Sequence, residues 1–135
     1  VYYSHNTHVA EVADVVMEEG QPKIKKVTVA VDCGIVVNPT GARNQVEGGV
    51  IDGVGHAMYG DLSFDNGTPQ EQNFGAYRLI RMKEAPQVDV HFVKSNLDPT
   101  GLGEPGLPPA GGAVANALYK ATGKRLYQQP FVKKA

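Results

Sequence analysis

One carboxylate in this chain stands where chemistry could use it. Glu104 lies inside Gly101-Leu102-Gly103-Glu104-Pro105-Gly106. Glycines on both sides let another group come close. Pro105, Pro108 and Pro109 stiffen the backbone, so the side chain is presented at little entropic cost. A carboxylate sunk in an apolar loop has a raised pKa and serves as a base near neutral pH. The competing reading is a surface turn with an incidental glutamate, and the loop's composition leaves both open.

The same run is literally G-x-G-x-x-G, the dinucleotide-binding fingerprint. Its context argues against that use. The fingerprint directly follows a strand and opens a helix, whereas several loop residues separate Gly101 from Lys94. The prolines remove backbone donors that a pyrophosphate needs. Glu104 would face that pyrophosphate with a negative charge. The stretch about 20 residues on, Tyr127-Gln128-Gln129, holds no acid for a ribose.

A second irregularity lies upstream. A helical pattern from Pro39 to Tyr59 carries Gly41, Gly48, Gly49, Gly53 and Gly55. Each interior glycine costs about 1 kcal/mol relative to alanine. Such a run implies close approach by another backbone or by a ligand. Helical spacing puts Gln45, Gly49, Asp52 or Gly53, and His56 on one face. That face is either tight packing surface or a surface laid against a cofactor, with Gln45 as its hydrogen-bonding group. The remaining candidates are thin. His5 and His8 have no further ligands marked by spacing, and a loose terminus is the reading adopted for them. His56 and His91 are isolated. No Gly-x-Ser-x-Gly elbow is present.

Elements must hold these groups in place. Val9 to Glu18 and Lys23 to Cys33 read as strands joined through Glu19-Gly20-Gln21-Pro22. Asn38 caps a helix that opens on Pro39 and stops at Gly60. Its apolar stripe is Ala42, Val46, Val50, Val54 and Ala57. Leu62 to Phe64 and Pro69 to Asn73 read as a short hairpin about Asp65-Asn66-Gly67. Asn66-Gly67-Thr68 also matches a glycosylation sequon, though a turn accounts for it. Gln87 to Lys94 alternates as a strand, and Asp98 to Pro109 is loop. A small-residue helix follows from about Ala110 to Thr122, then a closing strand and tail from Lys124 to Val132. Hairpins mixed with two main helices predict an α+β fold with a mixed or antiparallel sheet.

Bulk properties narrow the classes. The 135 residues suit one domain, 41% hydrophobic and 20% charged. Thirteen basic and fourteen acidic residues give a net charge of -1, with no basic block to track phosphates, so nucleic-acid binding lacks support. Cys33 is the one cysteine, so neither an internal disulfide nor a cysteine-held iron–sulfur cluster can be built. No apolar run is long enough to span a membrane, and no signal peptide is visible.

The two irregularities meet in a resemblance. Asp32-Cys33-Gly34, Val37-Asn38-Pro39, Gln45-Val46-Glu47-Gly48-Gly49 and Gly53-Val54-Gly55 resemble, in order, the C-terminal region of molybdenum hydroxylase large subunits. Gly103-Glu104-Pro105 and the helix around Ala113-Val114-Ala115-Asn116-Ala117 continue the match. Residues from about 8 to about 128 are similar to the xanthine dehydrogenase and aldehyde oxidase family. Within it they resemble most the beta subunit of isoquinoline 1-oxidoreductase and related bacterial aldehyde-oxidising enzymes.

That resemblance implies a molybdenum–molybdopterin cofactor, in its cytosine dinucleotide form, held by the dithiolene sulfurs and needing no protein ligand to the metal. It implies that Glu104 takes the proton from a Mo–OH group, whose oxygen attacks an electron-poor carbon of a heterocycle or aldehyde. Gln45 matches the family's cofactor-contacting glutamine, and Gly103 lines the site beside Glu104. Electrons would leave through iron–sulfur clusters on a partner subunit. The chain, residues 1–135, would be a single C-terminal fragment of a larger molybdenum-cofactor-binding domain. An upstream molybdopterin-binding lobe would complete the cradle and the pocket for a small-molecule substrate, and the chain alone would be inert. The alternative is a non-catalytic assembly or interaction module that keeps the fold. Substrate identity and compartment, bacterial cytoplasm or periplasm, are not fixed by these residues.

Overall fold

In the computed structural model, which describes residues 1–132, two long strands form the backbone of a four-stranded sheet. They are β2 (Thr7–Glu18) and β3 (Gln21–Asp32), preceded by β1 (Tyr2–Ser4). Helix α1 (Pro39–Tyr59), the short pair β4 (Phe64–Asp65) and β5 (Thr68–Pro69), strand β6 (Gln87–Phe92) and helix α2 (Pro108–Thr122) follow. The sheet order is β1-β2-β3-β6. Its first three strands are antiparallel and β6 joins β3 in parallel, so the sheet is mixed and the fold is α+β as expected.

Turn chemistry sets the hairpins. Glu19 and Gly20 sit at φ 51° and 79° between β2 and β3. His5 and Asn6, at φ 52° and 59°, make the same left-handed pair between β1 and β2. Two positive φ angles in a row give the turn whose twist matches the flanking strands. The N-terminal segment is therefore no loose end: the expectation of an untethered His5 and His8 fails. His8 pairs with Tyr3, their rings 4.5 Å apart, and β1 is a strand the alternation rule was too short to detect.

Both helices cover one face of the sheet, with α2 over β2 and α1 over β6. Val9 and Ala13 of β2, Val27, Val29 and Val31 of β3, and Val90 of β6 point into the core. Val46, Val50, Val54 and Met58 of α1 and Ala110, Val114 and Leu118 of α2 meet them. Each valine, leucine or methionine among them contributes about 1.5–3 kcal/mol by leaving water. Asn38 caps α1, its side-chain oxygen accepting from the Gly41 amide at 3.0 Å, and Pro39 occupies the first turn. The Asn66-Gly67 turn is confirmed at φ 49° and 80°, although its strands shrink to two residues each.

The closing strand expected from Lys124 to Val132 does not form. Instead the tail docks on the end of α1, where Phe131 and Val132 amides donate to Ala57 and Met58 carbonyls at 2.9 and 3.0 Å. The edge beside β6 stays free of this segment because the last carbonyls of α1 need partners as much as a strand edge does.

Candidate active site

The glycines of α1 divide the two expectations placed on them. A Cβ on Gly53 would lie 2.5 Å from the Leu107 carbonyl oxygen and 2.8 Å from Ala110 Cβ. On Gly49 it would lie 3.4 Å from the Gly106 carbonyl carbon, and on Gly55 3.0 Å from Ile80. These three are packing glycines. Gly48 is different: a Cβ there would meet nothing within 4 Å, and the residue is exposed. One helix thus grips the 106–107 backbone with part of its surface and leaves a bare strip beside it.

That strip is one wall of an open cleft of about 500 Å³. Asn44, Gln45, Gly48 and Asp52 form the α1 side, and Gly103 and Glu104 face them. The volume falls in the range of small-molecule sites. Gln45 reaches across, its Nε2 donating to the Gly103 carbonyl at 2.5 Å. The structure therefore brings all three residues singled out from the sequence, Gln45, Gly103 and Glu104, to one place. His56 pairs with Asp52 at 3.6 Å one turn along. Asn44 and Asp52 are added to the site. Asp52 was legible from helical spacing, whereas Asn44 carried no signal beyond its neighbour.

The Glu104 side chain is exposed, and the expectation of a carboxylate sunk in an apolar loop is corrected. Burial falls on its neighbours: Pro105 and Gly106 are enclosed, Pro105 completely. The Leu107 amide donates to the Glu104 carbonyl at 2.9 Å, closing a turn directly before α2. The residue is held by its backbone, and its carboxylate is left free for the cleft. The cleft lining pairs two carboxylates, Asp52 and Glu104, with no lysine or arginine. A larger depression of about 770 Å³ between Glu18, Lys23, Tyr59, Lys83 and Glu84 contains none of the candidates. Glu18 pairs there with Lys23 and Lys25 at 3.1 and 2.6 Å, and Glu84 with Arg78 at 2.6 Å.

The α+β domain sets a glycine-faced helix against a carboxylate-bearing loop, and the chain belongs to the molybdopterin cofactor-binding domain family, whose model matches residues 1–86. Among curated relatives it is 38% identical to "Membrane-bound aldehyde dehydrogenase [pyrroloquinoline-quinone]" of Gluconacetobacter polyoxogenes, over 78% of this chain and 14% of that protein. It is 35% identical to isoquinoline 1-oxidoreductase subunit beta of Brevundimonas diminuta, over 93% of this chain and 16% of that protein. The fold matches aldehyde oxidoreductase from Desulfovibrio gigas with a TM-score of 0.79 at 24% identity, covering 92% of this chain and 14% of that one. The chain thus spans about one-seventh of the length of these relatives.

Proposed function

We propose that this chain is the C-terminal part of a molybdenum hydroxylase subunit, with Glu104 as the general base and Gln45 and Gly103 beside the cofactor. The observation that carries this reading is the shared cleft. A free carboxylate on an anchored turn faces a bare helix strip, and the Gln45–Gly103 hydrogen bond joins the two walls. The uncovered face at Gly48 is room that a flat ring system could use. Among the described residues no cluster of His, Cys, Asp or Glu is arranged as a metal-ligand set, so a metal here would come held by an organic ligand.

When bound, a molybdenum–molybdopterin cofactor would supply the two-electron redox centre and the oxygen delivered to substrate. Glu104 would take up the proton released as that oxygen bonds to an electron-poor carbon of a heterocycle or aldehyde. The Gln45 amide would hold the peptide before Glu104 and present its remaining polar atoms to the cofactor. The cleft lining holds no lysine or arginine. An upstream lobe would complete the cradle. Cys33 is single and buried, so iron–sulfur clusters would be held outside this chain, on a partner subunit or domain.

The test is co-expression of the whole subunit with its iron–sulfur partner, followed by hydroxylation assays on a heterocycle and aldehyde panel. Glu104→Gln keeps the shape and removes the base. The expected loss is about 10²–10⁴ in kcat with molybdenum content unchanged. Equal activity in both would assign Glu104 to the turn alone. Wild type without molybdenum would favour an assembly module or the quinone named for the Gluconacetobacter relative.

A further inference from the structure

Among the described residues Thr7 is the one polar side chain in the buried set, with 0% of its surface exposed. Its hydroxyl lies 2.6 Å from the Gly101 carbonyl oxygen and 2.7 Å from the Thr100 hydroxyl. A carbonyl only accepts, so Thr7 donates to Gly101 and its one proton is spent. Thr100 must then donate to Thr7, and the three groups form a directed chain from Thr100 through Thr7 to Gly101. Two backbone bonds flank it: Gly101 N–H to the His5 carbonyl at 3.1 Å, and Thr100 N–H to the Cys33 carbonyl at 3.0 Å. Gly101 has to be glycine here, since a Cβ would stand 2.6 Å from His5 Cβ.

This clip ends three residues before Glu104. Downstream, Glu104 is fixed by the Leu107 amide, the enclosed Pro105 and the glycine seat on α1. Upstream, the surface bond from Gln45 and the Thr7 clip are the attachments. The Gln45 bond is exposed and open to competition from water. The Thr7 hydroxyl is fully buried, and the bond it makes to Gly101 is part-buried.

We propose that Thr7, working through Thr100 and Gly101, is a positioning residue for Glu104. The proposal rests on the reading of Glu104 as the base. The N-terminal hairpin then serves the site from 97 residues away in sequence: its left-handed turn at His5-Asn6 places the Thr7 hydroxyl and the His5 carbonyl against one residue, Gly101.

The experiment uses the whole subunit with its partner and compares wild type with Thr7→Val, Thr7→Ser and Thr100→Val. Valine keeps the branched shape and removes the hydroxyl, and serine keeps the hydroxyl. Amide hydrogen exchange across residues 100–107 is the first readout, independent of catalysis. Thr7→Val should speed exchange there by up to ~10-fold, the scale of losing one part-buried hydrogen bond. Exchange in residues 21–32 should stay unchanged. The second readout is kinetic: kcat should fall by ~10–10²-fold, the cost of misplacing a reacting group by about 1 Å, with KM and molybdenum content held. Thr7→Ser should restore both, and Thr100→Val should move both in the same direction by less. Unchanged exchange at 100–107 in Thr7→Val and Thr100→Val would overturn the proposal. So would serine failing to rescue, or faster exchange with kcat intact while Glu104→Gln is inactive. If Glu104→Gln is fully active, the base assignment fails on its own, and the exchange data still decide whether Thr7 holds the loop.

Discussion

Two glutamates occupy opposite situations in two regions of this molecule. In the cleft between α1 and the loop before α2, Glu104 has an exposed side chain on a backbone fastened from both directions. On the inner face of the sheet, Glu11 sits in the row of Val9 and Ala13, opposite Val29, with both carboxylate oxygens buried and without a hydrogen-bond partner. Burial drives the Glu11 carboxyl up to about 8. A perturbed carboxylate is often taken as a marker of function. Here the perturbation falls in the core, and the open cleft holds the other residue. On the proposed reading, access to the cleft with the backbone fixed, and not a shifted pKa, would mark the working carboxylate.

The sharpest way to break that contrast is to neutralise each residue in the assembled enzyme. Glu104→Gln should cost ~10²–10⁴ in turnover. Glu11→Gln should leave turnover within about twofold, since it touches neither cleft wall. A large loss from Glu11→Gln at unchanged thermal stability would show that the core carboxylate takes part in the reaction.

Stability reverses the ranking. The folded chain keeps the Glu11 proton up to about pH 8, while the unfolded chain gives it up near 4.5. Between these values the unfolded state binds fewer protons, so this group's contribution to stability falls as pH rises. It is complete below pH 4.5 and lost through pH 8. The loss is on the order of a few kcal/mol. Urea midpoints of wild type should therefore fall between pH 5 and 8.5 by more than those of Glu11→Gln, which carries no such titration. Parallel midpoints would mean that the Glu11 carboxylate finds a partner or water when ionised.

Much of this was legible in the sequence. Alternation gave β2, β3 and β6, and Asn38-Pro39 located the start of α1 to the residue. The glycine run marked a helix face that needs a reason, and the family resemblance, not the spacing, placed Gln45 and Glu104 at one site. Other features left no local trace. A threonine at the head of a strand looks like any other, and the role proposed for Thr7 arises from contact with residues 93 and 94 positions away. A three-residue β1 is too short for periodicity to register. Glu11 reads as a polar residue in an alternating strand, and only the pairing with β3 shows that it lies on the inward row. The exposed state of Glu104 was hidden for a related reason: apolar neighbours in sequence turned their own surfaces inward and left it outside.

Packing and bare glycines on α1 give a finer comparison. Gly53→Ala would drive a methyl into the Leu107 carbonyl and Ala110. Overpacking of this kind costs about 1–3 kcal/mol, and the strain falls on the turn that carries Glu104. Loss of both stability and kcat is expected, measured by denaturation and by turnover per molybdenum. Loss of stability alone would separate the seat from the site.

Gly48→Ala should do the reverse, with the smallest effect. Its methyl meets nothing within 4 Å, so the helix gains propensity with no steric cost. The chain should become more stable by about 0.5–1 kcal/mol. If the bare strip is where the cofactor lies, the same methyl stands in its way, and molybdenum occupancy of the assembled enzyme should drop. A helix with a glycine at an open, exposed position forgoes that stability, and occupation by a ligand would give the physical reason. Higher stability together with full occupancy would leave Gly48 without a role and move the cofactor away from α1.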